Sequence, residues 1–257
     1  MKRLYFFGQF LLLTLLCVCL CLTTTTLAQE KPKDEPLRVE VSKEFLERNQ
    51  LSGYFEKAKK WDKDVDALRR ANATDSDANA VLFLGSSSIR MWKNISEDIA
   101  PIKPIRRGYG GAKYCDLAIY TPSLVRGLQF KAAAIFIGND ITSSQDDKNP
   151  EEVARLSRIV IQAVRTEVAD APILLISVTA TPSRFKHWPR IREVNRALEN
   201  LAKSERNVSF LETQSHYLNE KQEPKPEYFV KDMLHQNEAG YKVWGGLVRD
   251  RLESILR

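Results

Sequence analysis

From residue 80 onward the chain repeats one pattern that few folds accommodate: a short, mostly apolar run followed by a longer amphipathic stretch. The runs are 80–84 (AVLFL), 104–107, 132–137 (AAAIFI), 172–178 (PILLISV) and 208–211. Helical periodicity appears at about 114–128, 150–168 and 188–204, and a last helix runs from about 237 to 255. A run that is apolar throughout, rather than at every second residue, belongs to a strand buried on both faces. Strands separated by helices are joined by crossovers, so the pattern predicts an α/β domain with a parallel sheet covered on both sides. Sites in such sheets gather at the carboxyl ends of the strands.

The region before residue 80 has a different character. Lys2 and Arg3 precede an apolar stretch over 4–22, and Thr26-Leu27-Ala28 offers a small-residue cleavage site. This reads as a signal peptide over residues 1–28, cut before Gln29, and implies a secreted or periplasmic protein. An uncleaved leader would instead anchor the chain, and only then is membrane contact expected. Residues 29–79 read as a polar spacer (QEKPKDEPLR) followed by one or two helices over 41–72 and a turn-rich break at 72–79. Three of the four cysteines lie in the leader, leaving Cys115, which reads as a buried small apolar residue. A mature chain with one cysteine has no internal disulfide and must be stabilised by its apolar core. The formal net charge is +6, but Lys and Glu are interspersed, so no nucleic-acid-binding stripe is expected.

Four loops at strand ends hold groups capable of chemistry. Gly85-Ser86-Ser87-Ser88 follows the first run; a serine on a strand-to-helix turn presents its hydroxyl beside free backbone N–H groups, although serines after a glycine also cap helices. Arg107-Gly108-Tyr109-Gly110-Gly111 follows the second, where glycines let backbone approach a ligand or simply turn the chain. Ile137-Gly138-Asn139-Asp140 follows the third; Asn139 is placed either to cap a turn or to donate to a developing oxyanion. Asp232-Met233-Leu234-His235 precedes the last helix. A serine needs a base at neutral pH, and an imidazole needs a carboxylate to fix its tautomer. His187 and His216 have no carboxylate at such a spacing.

In this order the four segments resemble the SGNH/GDSL hydrolase family, over about residues 80–257. The resemblance implies a flavodoxin-like three-layer α/β/α fold with a parallel five-stranded sheet, carrying an N-terminal helical extension. It assigns Ser87 as nucleophile, with Ser88 as the fallback, and Asp232 and His235 as the pair that activates it. It makes Ser87, Gly111 and Asn139 the oxyanion donors. Ser86 stands where the family has aspartate before the nucleophile, and Arg106 where asparagine often opens the second block.

The activity implied is hydrolysis of short-chain esters, acetyl above all, on small molecules or polysaccharides. No cofactor and no metal are expected: there is no Cys/His ligand cluster and no phosphate-binding loop. A lysophospholipase or thioesterase on the same scaffold is the alternative enzyme, and a carbohydrate-binding module that has lost catalysis the alternative class. Trp61, Trp92, Trp188 and Trp244 read as core residues rather than sugar platforms, with Trp188 the best candidate among them to line a cleft. Asn72, Asn94 and Asn207 open N-x-S/T sequons.

Overall fold

The computed structural model describes residues 39–257, so the leader and the polar spacer lie outside the described residues. Five strands form one sheet: β1 (Val81–Gly85), β2 (Pro104–Gly108), β3 (Ala132–Phe136), β4 (Ile173–Ile176) and β5 (Val208–Leu211). Their order is β2-β1-β3-β4-β5 and every pairing is parallel. The expected α/β/α architecture is therefore the one found.

The pleat divides the core in two. Leu82 and Leu84 of β1, Ala133 and Ile135 of β3 and Ile173 and Leu175 of β4 face the helices Tyr114–Val125, Pro150–Glu167 and Trp188–Ser204. Val81, Phe83, Ala134, Phe136, Leu174 and Ile176 face Trp92, Ile99, Trp244 and Val248 on the other side, under the helix Glu238–Ile255. Because both faces are covered, β1 and β3 need apolar residues at every position.

The expected strand over 172–178 is shorter in the structure. The carboxamide of Asn195, on the Trp188–Ser204 helix, accepts from Val178 N (2.7 Å) and donates to Val178 O (3.0 Å). This side chain satisfies both backbone groups that would have continued the ladder, and the chain leaves the sheet there. The expected helix at 114–128 likewise ends at Val125, before Gly127 with its positive φ of 73°.

The N-terminal segment corrects the expected one or two helices. It forms Lys43–Arg48, Ser52–Ala58 and Asp62–Arg70, with a 3-10 turn over Lys59–Trp61. Gln50, in the left-handed region at φ 55°, separates the first two. Leu46, Leu51, Ala58 and Val65 join the apolar core that covers the sheet. Tyr120 donates to Asp62, and Tyr54 donates to Glu152 at 2.8 Å, fastening these helices to their neighbours.

Where a loose break was expected at 72–79, Asn72–Asp75 forms a helical turn. Asn72 is buried; its amide donates to Leu124 O (3.0 Å) and Arg126 O (3.1 Å) and accepts from Arg107 Nε (2.9 Å). That sequon is consumed by structure, whereas Asn94 and Asn207 are exposed. Cys115 is buried as expected, and burial pushes its thiol up to about 12, so it stays protonated. Among the described residues no helix is long and apolar enough to cross a membrane.

Candidate active site

Ser87 opens a short helix, Ser87–Met91, directly above β1. Ser86 is extended (φ −97°, ψ −153°), so the chain turns abruptly from strand to helix. The turn requires Gly85: a Cβ there would lie 2.4 Å from Phe136 O and 2.6 Å from Ile89 Cγ1. The helix is held from below. Tyr241 donates to Ser88 O at 2.8 Å, and Trp92 stacks on Tyr241 with ring centroids 5.6 Å apart.

The segment after Phe229 brings an imidazole to this hydroxyl. Phe229 bridges Gln236, Val230 N donates to His235 O (2.8 Å), and Met233 takes a positive φ of 56°. The resulting tight turn folds Asp232 back on His235. Asp232 Oδ1 accepts from the N–H groups of Leu234 (2.8 Å) and His235 (2.9 Å), and Oδ2 lies 2.6 Å from His235 Nδ1. On the other side of the ring, Nε2 lies 3.0 Å from Ser87 Oγ. Burial pushes the Asp232 carboxyl up, but the imidazole and the two backbone N–H groups outweigh it and hold the carboxyl below its usual range. An ionised Asp232 keeps the proton on Nδ1 and leaves the Nε2 lone pair facing the serine.

The structure thus brings Ser87, His235 and Asp232 into one hydrogen-bonded line. Ser88 lines the same cavity, but the imidazole's partner is Ser87. His187 lies against Ser143 Oγ (2.6 Å), and His216 is exposed with its carbonyl accepting from Lys225.

Asn139 lines the cavity, and a residue that sequence reasoning missed fixes its orientation. Arg184 donates from Nη2 to Asn139 Oδ1 (2.9 Å) and from Nη1 to Gly138 O. With its oxygen so occupied, the carboxamide must present nitrogen at its other end, where Nδ2 donates to Ala112 O (3.1 Å). One N–H of Nδ2 remains available. Gly111 is exposed on the loop that this bond ties down, and it does not line the cavity. Its neighbour Gly110, at φ 33°, packs under Trp61, where a Cβ would lie 2.0 Å from the indole. The N-terminal helices therefore brace the second glycine loop.

The cavity over Ser87 has a volume of ≈ 30 Å³ open to a water-sized sphere. Its apolar wall comes from Phe136, Val178 and Ile191. Trp188 is buried in the core, as expected of the four tryptophans, and does not line the cavity; Ile191, one turn further along the same helix, occupies the wall. Among the described residues no group of His, Cys, Asp or Glu is arranged to hold a metal ion.

Asp140, next to Asn139, is buried and accepts from Tyr114 N at 3.2 and 3.3 Å. Burial pushes its carboxyl up to about 7, against the Tyr114 N–H and the charges of Lys113 and Lys148, and Asp116 adds to the rise. The folded state therefore binds this proton more tightly than the unfolded chain does. Stability from this group is lost as pH rises from about 4 to about 7, by up to about 4 kcal/mol. Asp140→Asn should gain stability over the wild type at pH 8 and much less at pH 4.5. Urea unfolding at the two pH values checks this, and a difference independent of pH would contradict it.

The fold is that of an α/β/α ester hydrolase, and the comparisons agree. The model of the GDSL-like lipase/acylhydrolase family matches residues 65–243, more than half the chain. The chain belongs to that family and is a hydrolase acting on ester bonds. Among solved structures it is similar to a Streptococcus pneumonia protein named for platelet activating factor (21% identity, 80% of this chain and 98% of that one, TM-score 0.66). It is also similar to a GDSL-like lipase from Bacteroides thetaiotaomicron (19% identity, 77% and 97%, TM-score 0.59). A third is a carbohydrate esterase of family 3 from Talaromyces cellulolyticus (15% identity, 69% and 97%, TM-score 0.55). These likenesses are of fold. No curated protein matches the sequence.

Proposed function

We propose that the protein is an exported serine esterase that removes short acyl groups, acetyl above all, from carbohydrate. The observation that carries this reading is the volume of ≈ 30 Å³ above Ser87. A single water needs roughly 10–15 Å³, so the space suits a small acyl group. His235 Nε2 takes the Ser87 proton as Oγ attacks the ester carbonyl, and Asp232 stabilises the imidazolium. The tetrahedral oxyanion is held by the free Asn139 N–H and by the backbone N–H of Ser87; Gly111, outside the cavity, is not among these donors. The imidazolium returns its proton to the leaving alcohol. Water then attacks the acyl-enzyme by the same route and releases the acid. Export rests on the leader over 1–28, and carbohydrate on that leader together with the carbohydrate esterase of like fold.

A lipid-directed reading has one observation in its favour. Met91, Val230 and Met233 are the large apolar side chains left exposed among the described residues. Met91 and Val230 line a groove of ≈ 300 Å³ that shares Gln236 with the catalytic cavity. Turnover of p-nitrophenyl acetate and p-nitrophenyl octanoate separates the two. The short-chain reading expects kcat/KM for acetate at least about tenfold higher, since a chain without a pocket forfeits burial of about 0.8 kcal/mol per methylene. A preference for octanoate would transfer the assignment to lipid esters.

A further inference from the structure

A second cavity lies beside the nucleophile helix, and its chemistry is unlike that of the first. It measures ≈ 420 Å³ and its charged lining consists of Arg90, Lys93, Arg106, Arg107 and a single carboxylate, Asp75. That carboxylate is engaged by Arg107 Nη1 at 2.9 Å. Arg90, Lys93 and Arg106 are exposed, and none has a carboxylate within 4 Å among the described residues. Arg106 is directed by its Nη1 bond to Trp92 O (2.9 Å). Arg107 is 1% exposed, bonded to Asn72, Asp75 and the carbonyl of Arg106, and its Nη2 has no partner.

A concavity with four cations and one anion is not how a folded surface settles by itself: like charges repel unless something of opposite sign joins them. The buried unpaired Nη2 of Arg107 adds an unmet donor, which carries a cost when no acceptor arrives. The volume falls in the range of small-molecule sites and well above what a bare ion fills. Leu68, Ala71, Ile95 and Pro104 supply apolar surface between the charges, as a sugar ring would require. Arg90, which lines this cavity, follows Ser87 by three residues on the same short helix, about one turn along it.

We propose that this cavity binds the anionic group of an acidic sugar unit, placing the neighbouring acylated unit of the same polymer over Ser87. The proposal rests on the carbohydrate reading above and narrows it to acidic polysaccharide. The planar guanidinium groups of Arg90 and Arg106 receive the carboxylate, with Lys93 adding charge.

Binding without turnover tests it. Calorimetric titration of the purified protein with unacetylated polygalacturonate should show binding that weakens with added salt, and titration with a neutral glucan should show none. The double variant Arg90→Gln/Arg106→Gln should bind polygalacturonate at least about tenfold more weakly, and Lys93→Glu should weaken it in the same direction. Both variants alter exposed side chains, and an unchanged melting temperature shows that the fold is kept. Equal binding of acidic and neutral glycans, or undiminished binding by the double variant, would overturn the proposal. So would binding of inorganic phosphate with none of polygalacturonate, which would make this a site for a free anion. None of these readouts uses ester hydrolysis, so absence of esterase activity would defeat the catalytic reading and leave this result standing.

Discussion

Replacing Ser87 by alanine is expected to lower kcat/KM for p-nitrophenyl acetate by at least about 10⁴-fold while leaving the fold intact. The Ser87 hydroxyl lies 3.0 Å from His235 Nε2, so its removal deletes the proposed nucleophile and one hydrogen bond. His235→Ala should cost about as much, because a serine without a base attacks no faster than a missing one. The double variant should then be hardly worse than either single one, since the two groups act as a unit. Asp232→Asn tests a different contribution. It would retain an acceptor for the backbone N–H groups of Leu234 and His235 but lose the charge that keeps the proton on Nδ1. Its loss should again approach about 10⁴-fold in kcat. Steady-state rates with each variant, beside fluorophosphonate labelling of the wild type, check the set. Retention of activity within tenfold in Ser87→Ala, with loss in Ser88→Ala, would move the nucleophile one residue along.

What could be read from the sequence depended on whether the cause was local. The central strands β1 and β3 were legible because burial on both faces leaves no polar position in AVLFL or AAAIFI. The last helix, expected from about 237, starts at Glu238, where Asn237 caps it by accepting from Gly240 N at 3.0 Å. The core position of Trp188 was legible as well: Trp188, Ile191, Val194 and Leu198 follow one helical stripe, and that stripe faces the core. The segmentation of the N-terminal helices was not legible. It depends on Gln50 holding a left-handed conformation and on Leu51 reaching a core built by residues far along the chain. The pairing of Ser87 with His235 spans 148 residues, and only the ordered resemblance of the four segments pointed to it. Arg184 carried no such mark. It is one of several basic residues in Pro182–His187 and the helix after it, and it acquires a role only where the loop after β4 folds over Asn139.

That role leads to the second large effect. Asn139→Ala is expected to reduce kcat by about 10²- to 10³-fold with a smaller change in KM, as for loss of a donor whose bond strengthens in the transition state. Arg184 cannot replace that donor, but it decides whether the donor is there. With Nη2 on Oδ1 and Nη1 on Gly138 O, the guanidinium excludes the flipped amide, in which oxygen would face the developing negative charge. Drawing electron density toward Oδ1 also makes the Nδ2 hydrogens better donors. Arg184 is therefore a positioning residue, and Arg184→Gln should lower kcat by about 10- to 100-fold, with Arg184→Lys recovering part of the loss. A residue that merely supports the fold would lower activity by the same factor whatever stands at position 139. One that acts through Asn139 would not: in the Asn139→Ala background, Arg184→Gln should cost no more than about twofold, because there is no amide left to orient. The four rates of that cycle, measured with p-nitrophenyl acetate, decide between the two. Additive losses would mean that Arg184 serves the reaction by some other route, such as direct contact with the substrate in the cavity it lines.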